Sequence, residues 1–363
     1  MKPSVKLLSD YFIKDHGAKP GTIEVSPLGR GSHGRGYRVA FEKDGAAKRL
    51  IVKALDPRVG LGHDYPSDRA AVFILARAAY GRLPGHVRAV DVLALGEDGS
   101  IFSIDGGREY YLVMEEATGR SYFEDLKEMA GRDALTDAGR ARVSAMAGYL
   151  GKLHAKKKDA PALYLRKVRD TVGHGECLMG VFDTYAGDAA GFTNLAEMAE
   201  IEKRCVEWRA RLKPMAHRLS RVHGDFHPGN ILFGNGTKFV MLDRSRGEYG
   251  EPADDLTALT INHVFFSLMA HGEMAGAYDE AIRLFYGDYL SATGDEEALS
   301  AAAPFYAFRG AVVANPLFYP DVSREVREKI FSFIHGALSA DRFDPAGVND
   351  CIRSGGRRRK RFI

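Results

Sequence analysis

The sequence predicts an α+β protein in two lobes: an N-terminal antiparallel sheet with one helix, then a mainly helical C-terminal part. Three observations carry this. Up to about residue 117, short apolar β-type runs alternate with glycine-bearing turns. Beyond residue 118 apolar residues recur at helical spacing, as in Met146, Leu150 and Leu153. A polar loop at 222–230 then interrupts the helices and runs into a short hairpin. With 363 residues the chain is long enough for two lobes with a core. Hydrophobic residues at 45% and charged residues at 27% are ordinary for a soluble globular enzyme.

In chain order, residues 1–19 read as a short helical lead-in. Residues 20–115 form the sheet lobe. Gly21-Thr22-Ile23-Glu24-Val25 is a strand, and it leads into a hairpin with four glycines in the eight residues Gly29 to Gly36. Gly29, Gly31, Ser32 and Gly34 would let the backbone fold tightly over phosphates. Alone, such a hairpin is a flexible turn. It gains meaning from Lys53, a single cation in the apolar run Leu50-Ile51-Val52-Lys53-Ala54-Leu55, where a lysine can reach nucleotide phosphates. The alternative is a lysine on the wet face of an edge strand.

The helix Ser67–Tyr80 follows and contains no Glu to pair with Lys53; Asp68 is the stand-in, with Asp64 behind it, although a first-turn acid also serves the helix dipole. Strands are expected over 87–95 and 108–117, the second ending at a hinge where Glu115, Glu116 and Ala117 are adenine-side candidates by position. Residues 116–354 are the helical lobe. Within it His154 is accounted for as a cation near a helix C-terminus, and Trp208 is expected to be packed. Residues 355–363, Gly355-Gly356 and then a basic run, read as a disordered tail.

The chemistry concentrates in Val222-His223-Gly224-Asp225-Phe226-His227-Pro228-Gly229-Asn230, followed by strands at Ile231-Leu232-Phe233 and Phe239-Val240-Met241-Leu242 and then Asp243. Phosphoryl transfer uses this spacing: an Asp beside the attacking hydroxyl, an Asn after four intervening residues, and an Asp at the end of the next strand. Asp225 would take the proton, and Asn230 and Asp243 would supply hard oxygen ligands to Mg²⁺. His227 is read as a neutral structural histidine.

These residues, with Gly250-Glu251-Pro252-Ala253-Asp254-Asp255-Leu256, resemble the aminoglycoside phosphotransferase family and its choline-kinase and homoserine-kinase-like relatives. The likeness runs from about residue 20 to about residue 260. It implies a bilobal protein-kinase-like fold and use of ATP and Mg²⁺. It also implies that Asp225 is catalytic, that Asn230 and Asp243 hold metal, and that His223, His227 and Asp255 support the loop. Asp255 would brace the loop by hydrogen bonds, with Asp254 as the alternative. Position 36 departs from the protein-kinase pattern, since Gly36 stands where a valine is usual.

The acceptor is expected to be a small molecule, because only eight residues separate Asp243 from Pro252, too few for a peptide-docking loop. Between Glu248 and Ser300 eleven acids face one base, Arg283, and an acidic wall would attract a cationic amine such as an aminoglycoside. The alternative is wet helix faces. Arg309 and Asn315 are polar exceptions in an aromatic-rich stretch that could face the acceptor, and Arg244 and Arg246 could touch phosphate or pair with Glu248 or Glu251. A net charge of +3 does not argue for nucleic acid. No apolar run of membrane-spanning length occurs, and the N-terminus lacks a signal-peptide pattern. Cys177, Cys205 and Cys351 show no disulfide or metal spacing, which points to a cytoplasmic protein. Two other classes compete with the enzyme: a non-catalytic, nucleotide-binding kinase-like regulator, and a nucleic-acid-binding protein led by the basic tail.

Overall fold

The computed structural model describes residues 5–30, 34–55, 63–80, 88–104, 117–186, 191–243 and 246–360. The chain divides into two units, Met1–Met114 and Glu115–Ile363.

The first unit is built on an antiparallel sheet of β1 (Glu24–Arg30), β2 (Gly34–Lys43) and β3 (Ala46–Leu55), in that order. The central strand β2 alternates, burying Tyr37, Val39 and Phe41 on one face. That face is covered by α1 (Val5–His16) through Leu8, Tyr11 and Phe12. Pro27 is tolerated because β1 is an edge strand, and the register slips by one residue between Pro27 and Gly29. Asp44 and Gly45 turn β2 into β3 with φ of 50° and 75°, the left-handed pair that a two-residue hairpin requires. The helix α2 (Pro66–Tyr80) begins one residue before its expected start. Of the strand expected over 87–95, Val87 lies outside the described residues, and among the rest only β4 (Leu93–Leu95) forms, paired with β5 (Ile101–Ser103). The Tyr11 hydroxyl donates to Asp91 Oδ2 at 2.5 Å and ties α1 to this hairpin. The strand expected at 108–117 lies outside the described residues, save for Ala117.

The second unit is mainly helical. A small sheet joins β6 (Arg120–Ser121) to β8 (Ile231–Phe233) and β9 (Phe239–Met241), and β7 (Ser220–Arg221) pairs with β10 (Tyr249–Gly250). Around these run α3 (Tyr122–Met129), α4 (Asp137–His154), α5 (Pro161–Gly173), α6 (Leu178–Asp183) and α7 (Leu195–Leu212). They are followed by α8 (Pro252–His271), α9 (Gly276–Thr293), α10 (Glu297–Ala301), α11 (Ala303–Ala314), α12 (Arg324–Ser339) and α13 (Val348–Arg359). Most of α8 is buried on every side, so it is the axis of this core, with α9, α11 and α12 packed on it. Trp208 is buried, and its indole N–H donates to Leu338 O at 3.0 Å. Among the described residues no helix is long and apolar enough to cross a membrane.

The tail is corrected by the structure. Gly355, Gly356 and the arginines to Arg359 complete α13 instead of forming a disordered end. The glycines are there for contact: a Cβ on Gly355 would sit 1.7 Å from Ser332 O, and one on Gly336 2.1 Å from Cys351 O, so α12 and α13 touch backbone to backbone. Arg359 is buried. Its Nε donates to Glu197 Oε1 at 2.7 Å, its Nη1 to Glu328 O at 3.3 Å, and its Nη2 to Phe192 O. Burial pushes the Glu197 carboxyl up, but His335 and Arg359 more than offset this and hold it below its ordinary value. Removing one partner of a buried pair leaves an uncompensated charge. Arg359→Ala should therefore cost about 3 kcal/mol of stability, read as a lowered denaturant midpoint.

Candidate active site

The loop between β7 and β8 is held in a fixed shape by its own side chains. Gly224 has φ +85°, a backbone conformation that favours glycine, and a Cβ there would sit tightly against Arg246 Cβ at 3.2 Å. His223 Nδ1 accepts from the Asp225 N–H at 3.2 Å. His227 Nδ1 accepts from the Gly229 N–H at 3.0 Å, which places its proton on Nε2, 3.7 Å from Asp225 Oδ2. Burial holds the His227 ring below its ordinary pKa, so it is neutral at pH 7. The Asn230 amide nitrogen donates to Asp225 O at 3.0 Å and to Asp225 Oδ2 at 3.3 Å, turning its amide oxygen the other way.

The hairpin β8–β9 carries the next residue into place. The Leu242 N–H donates to Asn230 O at 2.9 Å, so Asp243, one residue on, stands at the same end of the ribbon as Asn230. Asp243 is exposed and has φ 50°, a left-handed conformation that Asp tolerates better than most residues. An amide oxygen and a carboxylate are hard donors, and this set fits Mg²⁺ shared with substrate phosphates. Among the described residues no cluster of three or more His, Cys, Asp or Glu side chains could hold a metal by itself.

Two consecutive acids at the start of α8 hold the loop from below. Asp255, fully buried, accepts from the backbone N–H of His223 at 2.8 Å and of Gly224 at 2.7 Å. It also meets His154 Nε2 at 3.1 Å. Burial would raise the Asp255 carboxyl, but the His154 hydrogen bond and the other charges hold it below its ordinary value. His154 is thus no simple helix-end cation: it is buried, with Tyr289 on its other nitrogen at 2.9 Å. Asp254 turns to Arg309, accepting from Nη2 at 2.6 Å and Nε at 3.2 Å.

Arg309, from α11, also donates from Nη1 to Asp225 Oδ1 at 2.5 Å and from Nη2 to Gly224 O at 3.0 Å. Burial would raise the Asp225 carboxyl; Arg309, with His227 and Arg246, outweighs burial and keeps it low. Asp225 opens onto a cleft of about 360 Å³ walled by Val181, Ile261, Val312, Phe318 and Tyr319, with His227, Arg246 and Arg309 beside it. Arg246 pairs with neither Glu248 nor Glu251. It contacts Glu176 O at 3.4 Å and Cys177 Sγ at 3.7 Å and lies over the Phe308 ring. Asn315 does not line the cleft: it is buried and donates to Thr184 Oγ1 at 2.7 Å.

The acidic wall is overturned. None of the eleven acids lines the cleft. Glu251 and Asp295 are taken by Arg218, Glu248 by Arg221, Glu280 by Arg140, Glu296 by Arg342, Glu297 by His217 and Asp279 by Arg283.

In the first unit, Gly29 pairs with Gly36, and Gly36 with Lys53, across β1, β2 and β3. Gly34 opens β2 opposite Leu55. Lys53 is exposed on β3. Asp68 Oδ2 accepts from the Tyr65 N–H at 2.8 Å, a contact that closes the start of α2. Gly31, Ser32 and Glu115 lie outside the described residues; Ala117 lies just before β6. Arg309, a polar exception that could face the acceptor by sequence, does line the cleft, and it also grips Asp225 and Asp254, which the sequence reading does not assign to it. An arginine amid the apolar residues of α11 needs a carboxylate partner, and that signal was available.

The Asp255 brace has a pH signature. Its folded pKa is lowered, so its stabilisation is complete above the ordinary carboxylate value of about 3.9 and is lost as pH falls through the folded value. Asp255→Asn should lower stability at neutral pH and flatten its fall in acid, measured by urea unfolding across pH.

The sequence matches a phosphotransferase enzyme family, APH, over residues 24–291. No curated protein matches it. Solved structures with similarity include a macrolide 2'-phosphotransferase type I, at 18% identity over 94% of this chain and 99% of that one, TM-score 0.32. An amicoumacin kinase in complex with AMP-PNP, Ca²⁺ and Ami has 14% identity over 95% and 96%, TM-score 0.42. An ethanolamine kinase of Plasmodium vivax has 12% identity over 94% and 83%, TM-score 0.38. The family match takes in both the sheet of the first unit and the loop, hairpin and first helix of the candidate site, and the chain, α+β in architecture, belongs to the APH phosphotransferase enzyme family.

Proposed function

We propose that this kinase transfers the γ-phosphoryl group of ATP, with Mg²⁺, to a hydroxyl of a small molecule held in the cleft beside Asp225. The observation that carries the reading is the convergence of Asp225, Asn230 and Asp243 at one end of the β8–β9 ribbon, on a loop braced by Asp255. Asp225 receives the hydroxyl proton and orients the nucleophile. Asn230 and Asp243 hold Mg²⁺, which neutralises charge on the phosphate oxygens. Lys53 and the glycine hairpin at Gly29–Gly36, with Gly31 and Ser32, hold the phosphates. Asp68 and the 115–117 segment complete the nucleotide side.

The cleft changes the reading of the acceptor. Its walls are largely apolar, and the charged side chains beside Asp225 are two guanidiniums, with Glu176 as the other carboxylate among the described lining residues. A polyhydroxy amine such as an aminoglycoside loses its electrostatic argument here. A compact alcohol with an apolar face gains one from the walls. The three cysteines are free thiols, which supports a reducing compartment such as the cytoplasm.

Asp225→Asn should keep ATP affinity and lose transfer by roughly 10²–10⁴-fold. The measurement is ATP consumption over a panel of alcohols, aminoglycosides, choline-like amines, nucleosides and hydroxy amino acids; unchanged turnover in this variant would refute the role. Lys53→Ala should raise the KM for ATP roughly 10–100-fold, as expected for loss of a hydrogen bond to a charged group. An unaltered KM would remove Lys53 from the nucleotide site.

A further inference from the structure

Arg309 is a buried cation on a helix whose other residues, Ala303 to Ala314, carry no charge. Taking a guanidinium out of water is costly unless it is fully opposed and hydrogen-bonded. Here its fork is spent at one place. Nη1 goes to Asp225, Nη2 to Gly224 O and Asp254, and Nε to Asp254 again. One planar group thus spans the base, the backbone beside it and the first turn of α8. A point charge could not make this set of contacts.

The consequence for Asp225 is asymmetry. Oδ1 is taken by Arg309 at 2.5 Å, while among the described residues Oδ2 has only the longer approaches of Asn230 Nδ2 at 3.3 Å and His227 Nε2 at 3.7 Å. The guanidinium also belongs to the acceptor cleft, together with Val312 and Val313, one turn further along α11. We infer that Arg309 is a positioning residue for phosphotransfer. It pins Asp225 Oδ1, so that Oδ2 is the oxygen presented to the acceptor hydroxyl, and it ties that orientation to the cleft wall. In the step served, the acceptor oxygen bonds to the γ-phosphorus, the bond to ADP breaks, and the hydroxyl proton passes to Oδ2. This rests on the reading of Asp225 given above. Arg309 also lies beyond residue 291, where the family match ends, so the match does not supply this role.

The test uses the full chain as wild type, Arg309→Ala, Arg309→Lys, Asp254→Ala and Asp225→Asn, with an acceptor turned over by the wild type. Arg309→Ala should lower kcat by about 10²-fold, the scale of a misplaced catalytic group, with the KM for ATP unchanged. Methylguanidinium should restore part of kcat in Arg309→Ala and none in Asp225→Asn. Arg309→Lys should recover little, since an ammonium cannot bridge both carboxylates. Wild-type kcat in Arg309→Ala or Arg309→Lys, or a loss that methylguanidinium does not touch in folded protein, overturns the proposal. If Arg309→Ala does not fold, Asp254→Ala decides: it removes the oxygen that holds the far end of the fork and should lower kcat at constant KM for ATP, and wild-type kcat there overturns the proposal. Normal turnover by Asp225→Asn would instead sink the underlying reading. Loss in Asp225→Asn with normal Arg309 variants sinks this inference alone.

Discussion

The candidate site depends on one buried carboxylate, Asp255. A loop such as 222–230 has no ladder of its own, so the direction of its peptide groups must be set from outside. Asp255 sets it by accepting two consecutive backbone N–H groups, of His223 and Gly224, immediately before Asp225. The carboxylate can do this because it sits in the first turn of α8, where the helix dipole favours negative charge. It can also do it because α8 is largely buried and packed against α9, α11 and α12. Rigidity of the core is thereby converted into a fixed orientation of Asp225.

Asp254 and Asp255 share the first turn of α8 but differ in outcome. Successive helical residues point about 100° apart, so one helix start serves two directions. Asp255 faces donors on three sides, and these outweigh the penalty of burial. For Asp254 burial is the larger influence, and its carboxyl is pushed up despite Arg309. Asp255 arranges the backbone, while Asp254 anchors the guanidinium that touches Asp225.

What was legible in the sequence was local. The loop spacing, the hairpin of Ile231–Phe233 with Phe239–Met241, and the start of α2 depend on residues a few positions apart, and the structure has them close to where they were expected. The acidic wall was misread because its neutralising partners come from elsewhere in the chain. Arg218, Arg221 and Arg140 all precede the segment, and Arg342 follows it. His154 looked like a helix end because its partners, Asp255 and Tyr289, are over a hundred residues away. The tail was misread for a different reason. Glycine raises chain freedom in isolation, but Gly355 is placed where only a hydrogen fits against Ser332 O.

The span from Asp225 to Arg309 has a bearing on how such enzymes diversify. The motif that names the chemistry and the cation that touches its carboxylate lie 84 positions apart, on separate elements. Exchanges along α11 can therefore alter the setting of Asp225 and the wall of the adjoining cleft together while every residue of the loop stays the same. Two chains with identical loops need not share a rate or a substrate, and divergence in this helix is where such drift would first be written.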